Sequence, residues 1–399
     1  MSRSPIQVYL VDDSPVALTL LKRILSSAPD MKVVGWAGSG DRAIVEIEQL
    51  RPDVICTDLH MPRMNGLELT RAVMATMPRP ILAISASVQA GEDRANIFAL
   101  LEAGAVDVFP KPQSGLQEDY EAIQQQLLEK IRILAGVKVF SRRGSGTGAA
   151  SAIAPPEVPQ GAAQRERRSP EPSLAQPATT QSVGSGKATG LGGGVVVLGA
   201  STGGPQAFQA ILSQLPGNFP LPVLCVQHIS DGFLTGLATW LRSHCALTVQ
   251  VAQPGQQPQP GNVYFAPEQR HLELDGRGYF RMTTTPPVAG HRPAITVTFE
   301  SIARCYGRRV VGVLLTGMGS DGAAGLAAIA KAGGVTIAQD EATSVVFGMP
   351  GSAIALGVVQ RVLPLDAIAP ALQATCATLV GRPASPANES PRDRPGTVA

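Results

Sequence analysis

No apolar run in this 399-residue sequence is longer than a strand requires, so a membrane span of about 20 apolar residues is not expected. Charge imbalance is equally scarce. With 33 Lys+Arg against 31 Asp+Glu the formal net charge is +2, too little to draw the whole molecule to nucleic acid. Cys56, Cys225, Cys245, Cys305 and Cys376 are scattered, odd in number and without C-x-x-C spacing, which argues against a disulfide frame or a zinc site. They read as reduced thiols of a cytoplasmic protein. The opening "MSRSPIQVYLVDDS" meets a carboxylate pair before an apolar signal core forms, so no secretory peptide is expected. What is present is a hydrophobic content of 44%, enough for real cores, over a length that predicts about two domains.

Large side chains are missing from one internal stretch. From residue 141 to 190 there is no aromatic residue, few large aliphatics and no periodicity, so the segment cannot offset its ordering entropy and reads as a flexible linker. Its "RERR" cluster reads first as a solvated charge run. The tail over 383–399 has the same composition. Two domains are left, 5–140 and 191–380, with no internal repeat between them.

The first domain alternates strands ("IQVYLVDD", "MKVVGWA", "DVICTDL", "RPILAISAS", "AVDVFPKP") with helical patterns, which predicts a five-stranded parallel sheet covered on both faces. Ligands of such sheets bind beyond the strand C-termini. A flavodoxin-like order brings Asp12, Asp13, Asp58, Ser85 and Lys111 to one rim. Three carboxylates together need a cation, most plausibly Mg2+, which prefers oxygen ligands. Lys111 and Ser85 suit phosphoryl oxygens, and Asp58 suits the attacking carboxylate that forms an aspartyl phosphate. Helix capping by the carboxylates explains one aspartate easily and all five positions poorly.

"VDDS", "CTDLHMPRMNGLEL", "ISAS" and "FPKP" stand in the order of response-regulator receiver domains, which residues 6 to about 125 resemble. The resemblance implies Asp58 as phospho-acceptor, Asp12 and Asp13 with Asp58 as magnesium ligands, Ser85 and Lys111 as the switch pair, and a cis Lys111–Pro112 bond. Val108 stands where receivers often carry an aromatic switch residue; Phe109 beside it is expected to face the other side of its strand.

The second domain opens with the buried strand of "GGGVVVLGAS", followed by a helix with proline in its first turn. Gly199 to Gly203 fits G-x-S-x-G, a tight turn that exposes the Ser201 hydroxyl. A P-loop is excluded by spacing and by Pro205 where lysine is wanted, and a dinucleotide fingerprint by the missing glycine pattern and acidic partner. Ser201 is therefore a candidate nucleophile or a helix cap. His228 ends the next apolar strand, "LPVLCVQH", and is the candidate base; His291, before the helix of "HRPAITVTFESI", is its rival. His60 belongs to the first domain, His244 to a helix end and His271 to a strand. Asp321 follows the strand of "VVGVLLTGMGSDGAAGL" as orienting acid or as helix N-cap, and the amides of that loop are candidates for binding an oxyanion. The helix "GFLTGLATWL" reads as packing. The fold expected is α/β throughout: a flavodoxin-like N-terminal domain and a doubly wound, mostly parallel hydrolytic C-terminal domain.

"GASTGGP", "VQHI", "GNVYFAP", "RHLEL", "HRPAITVTF", "LLTGMGSDGAAGL" and "TIAQDEATSVVFGMPGSAIALG", placed after a receiver and a linker, resemble the chemotaxis response-regulator methylesterases of CheB type. The resemblance implies Ser201 as nucleophile, His228 as base, Asp321 as orienting acid and the amides of Met318 and Thr202 as oxyanion donors. Asp340 and Glu341 fall in a groove or structural loop. It implies hydrolysis of glutamate γ-methyl esters and deamidation of glutamines on methyl-accepting chemoreceptors, with a histidine kinase as phosphoryl donor. No cofactor is expected for ester hydrolysis, no nucleic acid or membrane insertion, and a monomeric state. Two alternatives stay open: the same hydrolase in a non-chemotactic receptor system, and a receiver-controlled binding module without esterase activity.

Overall fold

The computed structural model describes residues 4–85, 91–112, 117–137, 139 and 193–380. The linker read over 141–190 and the tail over 383–399 lie outside the described residues.

The N-terminal part runs β1 (Ile6–Val11), α1 (Pro15–Ser26), β2 (Met31–Ala37), α2 (Gly40–Leu50), β3 (Val54–Thr57), α3 (Gly66–Thr76), β4 (Ile81–Ser85), α4 (Gly91–Ala103), β5 (Asp107–Pro110) and α5 (Gln117–Ala135). Its strands pair in parallel in the order β2-β1-β3-β4-β5, the flavodoxin-like arrangement expected from the alternation. The helix starts are chemically marked. Ser14 accepts a hydrogen bond from the Ala17 amide ahead of Pro15, and Asn65 and Glu68 form a reciprocal capping box. Val108 and Phe109 are both buried and enter cores on opposite faces of the sheet, as strand alternation requires.

The C-terminal part continues with β6 (Val195–Ala200), α6 (Gly204–Leu212), β7 (Val223–Gln227), α7 (Leu234–Arg242), β8 (Thr248–Val251), β9 (Asn262–Phe265), β10 (His271–Leu274), β11 (Phe280–Thr283), α8 (Ile295–Tyr306), β12 (Val310–Leu314), α9 (Ala323–Lys331), β13 (Val335–Gln339), α10 (Met349–Ala355), β14 (Arg361–Leu363) and α11 (Leu365–Val380). Seven strands pair in the order β14-β13-β12-β6-β7-β9-β8, every pairing parallel; β10 and β11 form a separate antiparallel hairpin. Chain direction across the sheet reverses at β6, which puts a topological switch point at its C-terminal end. β6, β7 and β12 are buried along their whole lengths, so each reads as a continuous apolar run rather than an alternation.

Helix α4 packs against α6 and α7, and this is where the helix read as packing finds its partner. Phe98 of α4 stacks on Trp240 of α7 with ring centroids 5.4 Å apart. Glu102 accepts a 2.6 Å hydrogen bond from Trp240 Nε1 and lies 2.9 Å from His244 Nε2. Gln206, in the first turn of α6, donates to the carbonyls of Ala105 and Val106. Among the described residues no helix is long and apolar enough to cross a membrane.

Candidate active site

The N-terminal rim assembles from strand ends. Asp12 follows β1, Asp58 follows β3, Ser85 ends β4 and Lys111 follows β5. Backbone hydrogen bonds from Asp58 N to Val11 O (2.8 Å) and from Lys111 N to Ser85 O (2.7 Å) continue the sheet into the rim. Lys111 Nζ sits 2.7 Å from Asp12 Oδ2 and 2.8 Å from Asp58 Oδ2. Asp12 and Asp58 are buried and Asp13 is exposed, and one carboxylate oxygen from each lies within 4.8 Å of the others. Burial, with some repulsion from Asp58, raises the Asp12 pKa against the pull of Lys111. Burial also works against the Lys111 charge, but its contacts with both carboxylates outweigh that and raise its pKa. Three hard oxygen donors under mutual repulsion fit a small divalent cation. The cis X–Pro bond among the described residues is Arg292–Pro293; Lys111–Pro112 is trans, against the expectation.

In the C-terminal part, Ser201 occupies the turn between β6 and α6, and His228 is the residue after β7. The pairing of Ala200 with Gln227 puts the two on adjacent strand ends, and His228 N donates to Ala200 O at 3.0 Å. The loop after β12 reaches the same turn, with Ser201 N donating to Thr316 O at 2.9 Å. Two glycines make this approach possible. A Cβ on Gly317 would lie 2.7 Å from Ser201 Cβ, and Gly203, at φ 78°, abuts Val345.

Asp321 Oδ2 lies 2.9 Å from His228 Nε2 and also accepts from Ile295 N at 2.7 Å. Its Oδ1 accepts from Thr296 N at 3.0 Å and Gly322 N at 2.8 Å. Asp321 therefore caps the N-terminus of α8 from a distant loop, while Gly322 holds the N-cap position of α9 itself. Burial would raise the Asp321 carboxyl, but the His228 hydrogen bond and charge and the Thr296 contacts outweigh it and bring it down to about 2.

The second nitrogen of His228, Nδ1, is buried and has no hydrogen-bond partner, so its contact with the Ser201 hydroxyl is unmade in this structure. The amides of Thr202 and Met318 donate to no described residue, and the Met318 side chain is 44% exposed. Asp340 Oδ1 accepts from the amide and hydroxyl of Thr343, a local turn role. Glu341 is exposed.

Of the other histidines, three lie away from this pair and one lies on it. His60 is exposed beyond Asp58, and His244 meets Glu102. His271 is fully buried, with Nδ1 accepting from Ala294 N and Nε2 donating to Pro286 O. His291 lies face to face on His228. Gln227 also belongs to the site, since its buried side-chain amide donates to the carbonyls of Ser201 and His228, both at 2.8 Å. Its signal in the sequence was a single polar residue closing the apolar run "LPVLCVQH".

The geometry above falls within two family matches. The CheB methylesterase family model matches residues 196–372, and the response regulator receiver domain model matches residues 8–122. A protein-glutamate methylesterase/protein-glutamine glutaminase of Nitrosospira multiformis is 40% identical over 367 residues, covering 92% of this chain and 96% of the relative. The chain belongs to the CheB methylesterase family. A second relative, the protein-glutamate methylesterase/protein-glutamine glutaminase 2 of Anaeromyxobacter dehalogenans, is 42% identical over 370 residues, 92% of this chain and 96% of its own. The crystal structure of the Thermotoga maritima CheB methylesterase catalytic domain aligns with 46% of this chain and 100% of its own at 40% identity, with a TM-score of 0.46. The CheB match and the receiver match fall on the two separate parallel sheets.

Proposed function

We propose that this chain is a phosphorylation-regulated serine hydrolase that demethylates glutamate γ-methyl esters, and deamidates glutamines, on chemoreceptor cytoplasmic helices. The observation that carries the reading is the buried His228–Asp321 pair beside the Ser201 turn, with one imidazole nitrogen bonded and the other unpartnered. Asp321 holds Nε2, so the nitrogen left to serve as base is Nδ1. Ser201 Oγ attacks the γ-carbonyl carbon while its proton passes to Nδ1. The oxyanion is received by the Met318 and Thr202 amides. Collapse breaks the bond to the methoxy group, or to the amide nitrogen of a glutamine, and the leaving group departs with the proton from His228 as methanol or ammonia. Water, deprotonated by the same nitrogen, then releases glutamate from the acyl-serine. Methanol release from methylated receptor tests this: Ser201→Ala abolishes it, and a wild-type rate in that variant defeats the reading.

At the N-terminal rim Asp58 is the phospho-acceptor, supplied by a histidine kinase. Asp12, Asp13 and Asp58 would hold Mg2+, which supplies charge neutralisation for phosphoryl transfer. Lys111 and Ser85 read the phosphoryl group. The unphosphorylated receiver restrains the hydrolase through α4. In support, Phe98 of α4 stacks on Trp240, and Gln206, five residues from Ser201, donates to Ala105 O and Val106 O just after α4. Asp58→Ala keeps basal activity and loses stimulation by acetyl phosphate; undiminished stimulation contradicts the regulatory reading.

A further inference from the structure

The His291 imidazole lies flat on that of His228, with ring centroids 3.7 Å apart and planes 9° from parallel. Its loop is fastened on both sides. Val288 and His291 exchange backbone hydrogen bonds at 3.1 and 3.0 Å. Three residues on, Ala294 N donates to the buried His271 at 3.1 Å, and His271 Nε2 donates to Pro286 O at 3.2 Å. The next two residues are Ile295 and Thr296, whose amides hold the Asp321 carboxylate. One short segment, 291–296, thus touches both members of the His228–Asp321 pair.

We infer that His291 is a positioning residue for the reaction, a flat neutral ring that fixes the plane of the His228 imidazole and moves no proton itself. The inference rests on the reading of His228 as the base. A hydrogen bond from Nε2 to Asp321 pins one point of the ring, and the second side-chain torsion of histidine is intrinsically broad. A ring stacked on its face removes that remaining freedom and holds the unpartnered Nδ1 in one orientation. Small losses of alignment at a proton-transfer group are costly in rate. The contact is face to face, so neither nitrogen of His291 points at His228 as a donor or relay. Burial first, then the His228 charge, lowers His291 to about 4, which keeps it neutral near neutral pH. A cation stacked there would oppose the imidazolium that forms as Ser201 attacks.

The test compares His291→Phe, His291→Ala and His291→Leu in the full chain. It measures methanol release, thermal unfolding and the ring proton shifts of His228 by NMR. The flat phenyl should keep kcat within about threefold of wild type. Alanine and the non-planar leucine should lower kcat by about ten- to a hundredfold with KM within about twofold, a loss of alignment rather than of binding. The ring-current shift at His228 should persist in the phenylalanine variant and vanish in the other two. Wild-type kcat in both the alanine and leucine variants overturns the inference. So does a phenylalanine variant as slow as alanine, since imidazole chemistry would then be required. Failure of the underlying hydrolase reading has a separate signature: methanol release surviving in Ser201→Ala or His228→Ala.

Discussion

His228 and Asp321 share a 2.9 Å hydrogen bond whose acceptor oxygen also takes the first amide of α8, at Ile295. One carboxylate therefore serves the proposed chemistry and the fold together. Asp321→Asn should lower kcat by about 10³- to 10⁴-fold, the loss expected when the imidazole tautomer is no longer fixed. Asp321→Ala also strips the acceptor from three amides and should cost about 2–4 kcal/mol of stability, more than asparagine, which retains one acceptor oxygen. Methanol release and urea unfolding of the two variants separate the effects.

Acid stability follows from His291 and Asp321, the two groups in contact with His228. His291 is held down to about 4 from an ordinary value of 6.5, so between those values the unfolded chain binds the proton that the folded chain refuses. Stability should fall as pH drops from 6.5 to 4, by about 3 kcal/mol. Asp321, lowered from 3.8 to about 2, contributes stability that is full above its unfolded value and lost as pH falls through its folded one. This second step amounts to about 2 kcal/mol. Urea unfolding as a function of pH should lose the first step in His291→Phe and the second in Asp321→Asn.

The turn at Ser201 depends on Gly203. Its φ of 78° disfavours any side chain, and an added Cβ would lie 2.6 Å from Val345 Cγ2. Gly203→Ala should cost about 1–3 kcal/mol in unfolding free energy. It should lower kcat as well, because the displaced turn carries Ser201.

Glu102 joins α4 to Trp240 of α7 and to His244 just beyond it. If this contact restrains the hydrolase, Glu102→Ala should raise basal methanol release without acetyl phosphate. A docking loss of about 1.4 kcal/mol corresponds to about a tenfold shift. Combined with Asp58→Ala, the elevated basal rate should persist and remain insensitive to acetyl phosphate.

Much of this was legible in the sequence because strand ends determine rim composition. Once "IQVYLV", "VICT" and "VVVLGA" are read as buried parallel strands, the residues that follow them must meet at C-terminal edges. That reasoning puts Asp12, Asp58 and Ser201 at strand ends, and His228 likewise after "VLCVQ". Contacts made across long separations by loops were not legible. Nothing in "HRPAITV" says that its histidine will lie on His228, or that the helix it precedes is capped by Asp321 from another segment. The Asp321 pattern fitted a cap of its own helix equally well, and only tertiary packing directs it to α8. The helix "GFLTGLATWL" reads only as packing because periodicity reports a buried face and not what covers it. The departure at Val108 was visible, and strand alternation alone was enough to predict that Phe109 faces away from it.

In the proposed mechanism the Ser201 hydroxyl is the attacking group and His228 activates it. Reaction with a fluorophosphonate, followed by peptide mass spectrometry, tests it most directly. A single stoichiometric adduct is expected on Ser201, formed at least about a hundredfold more slowly in His228→Ala. An adduct on another residue, or labelling of Ser201 at an unchanged rate without His228, would contradict it.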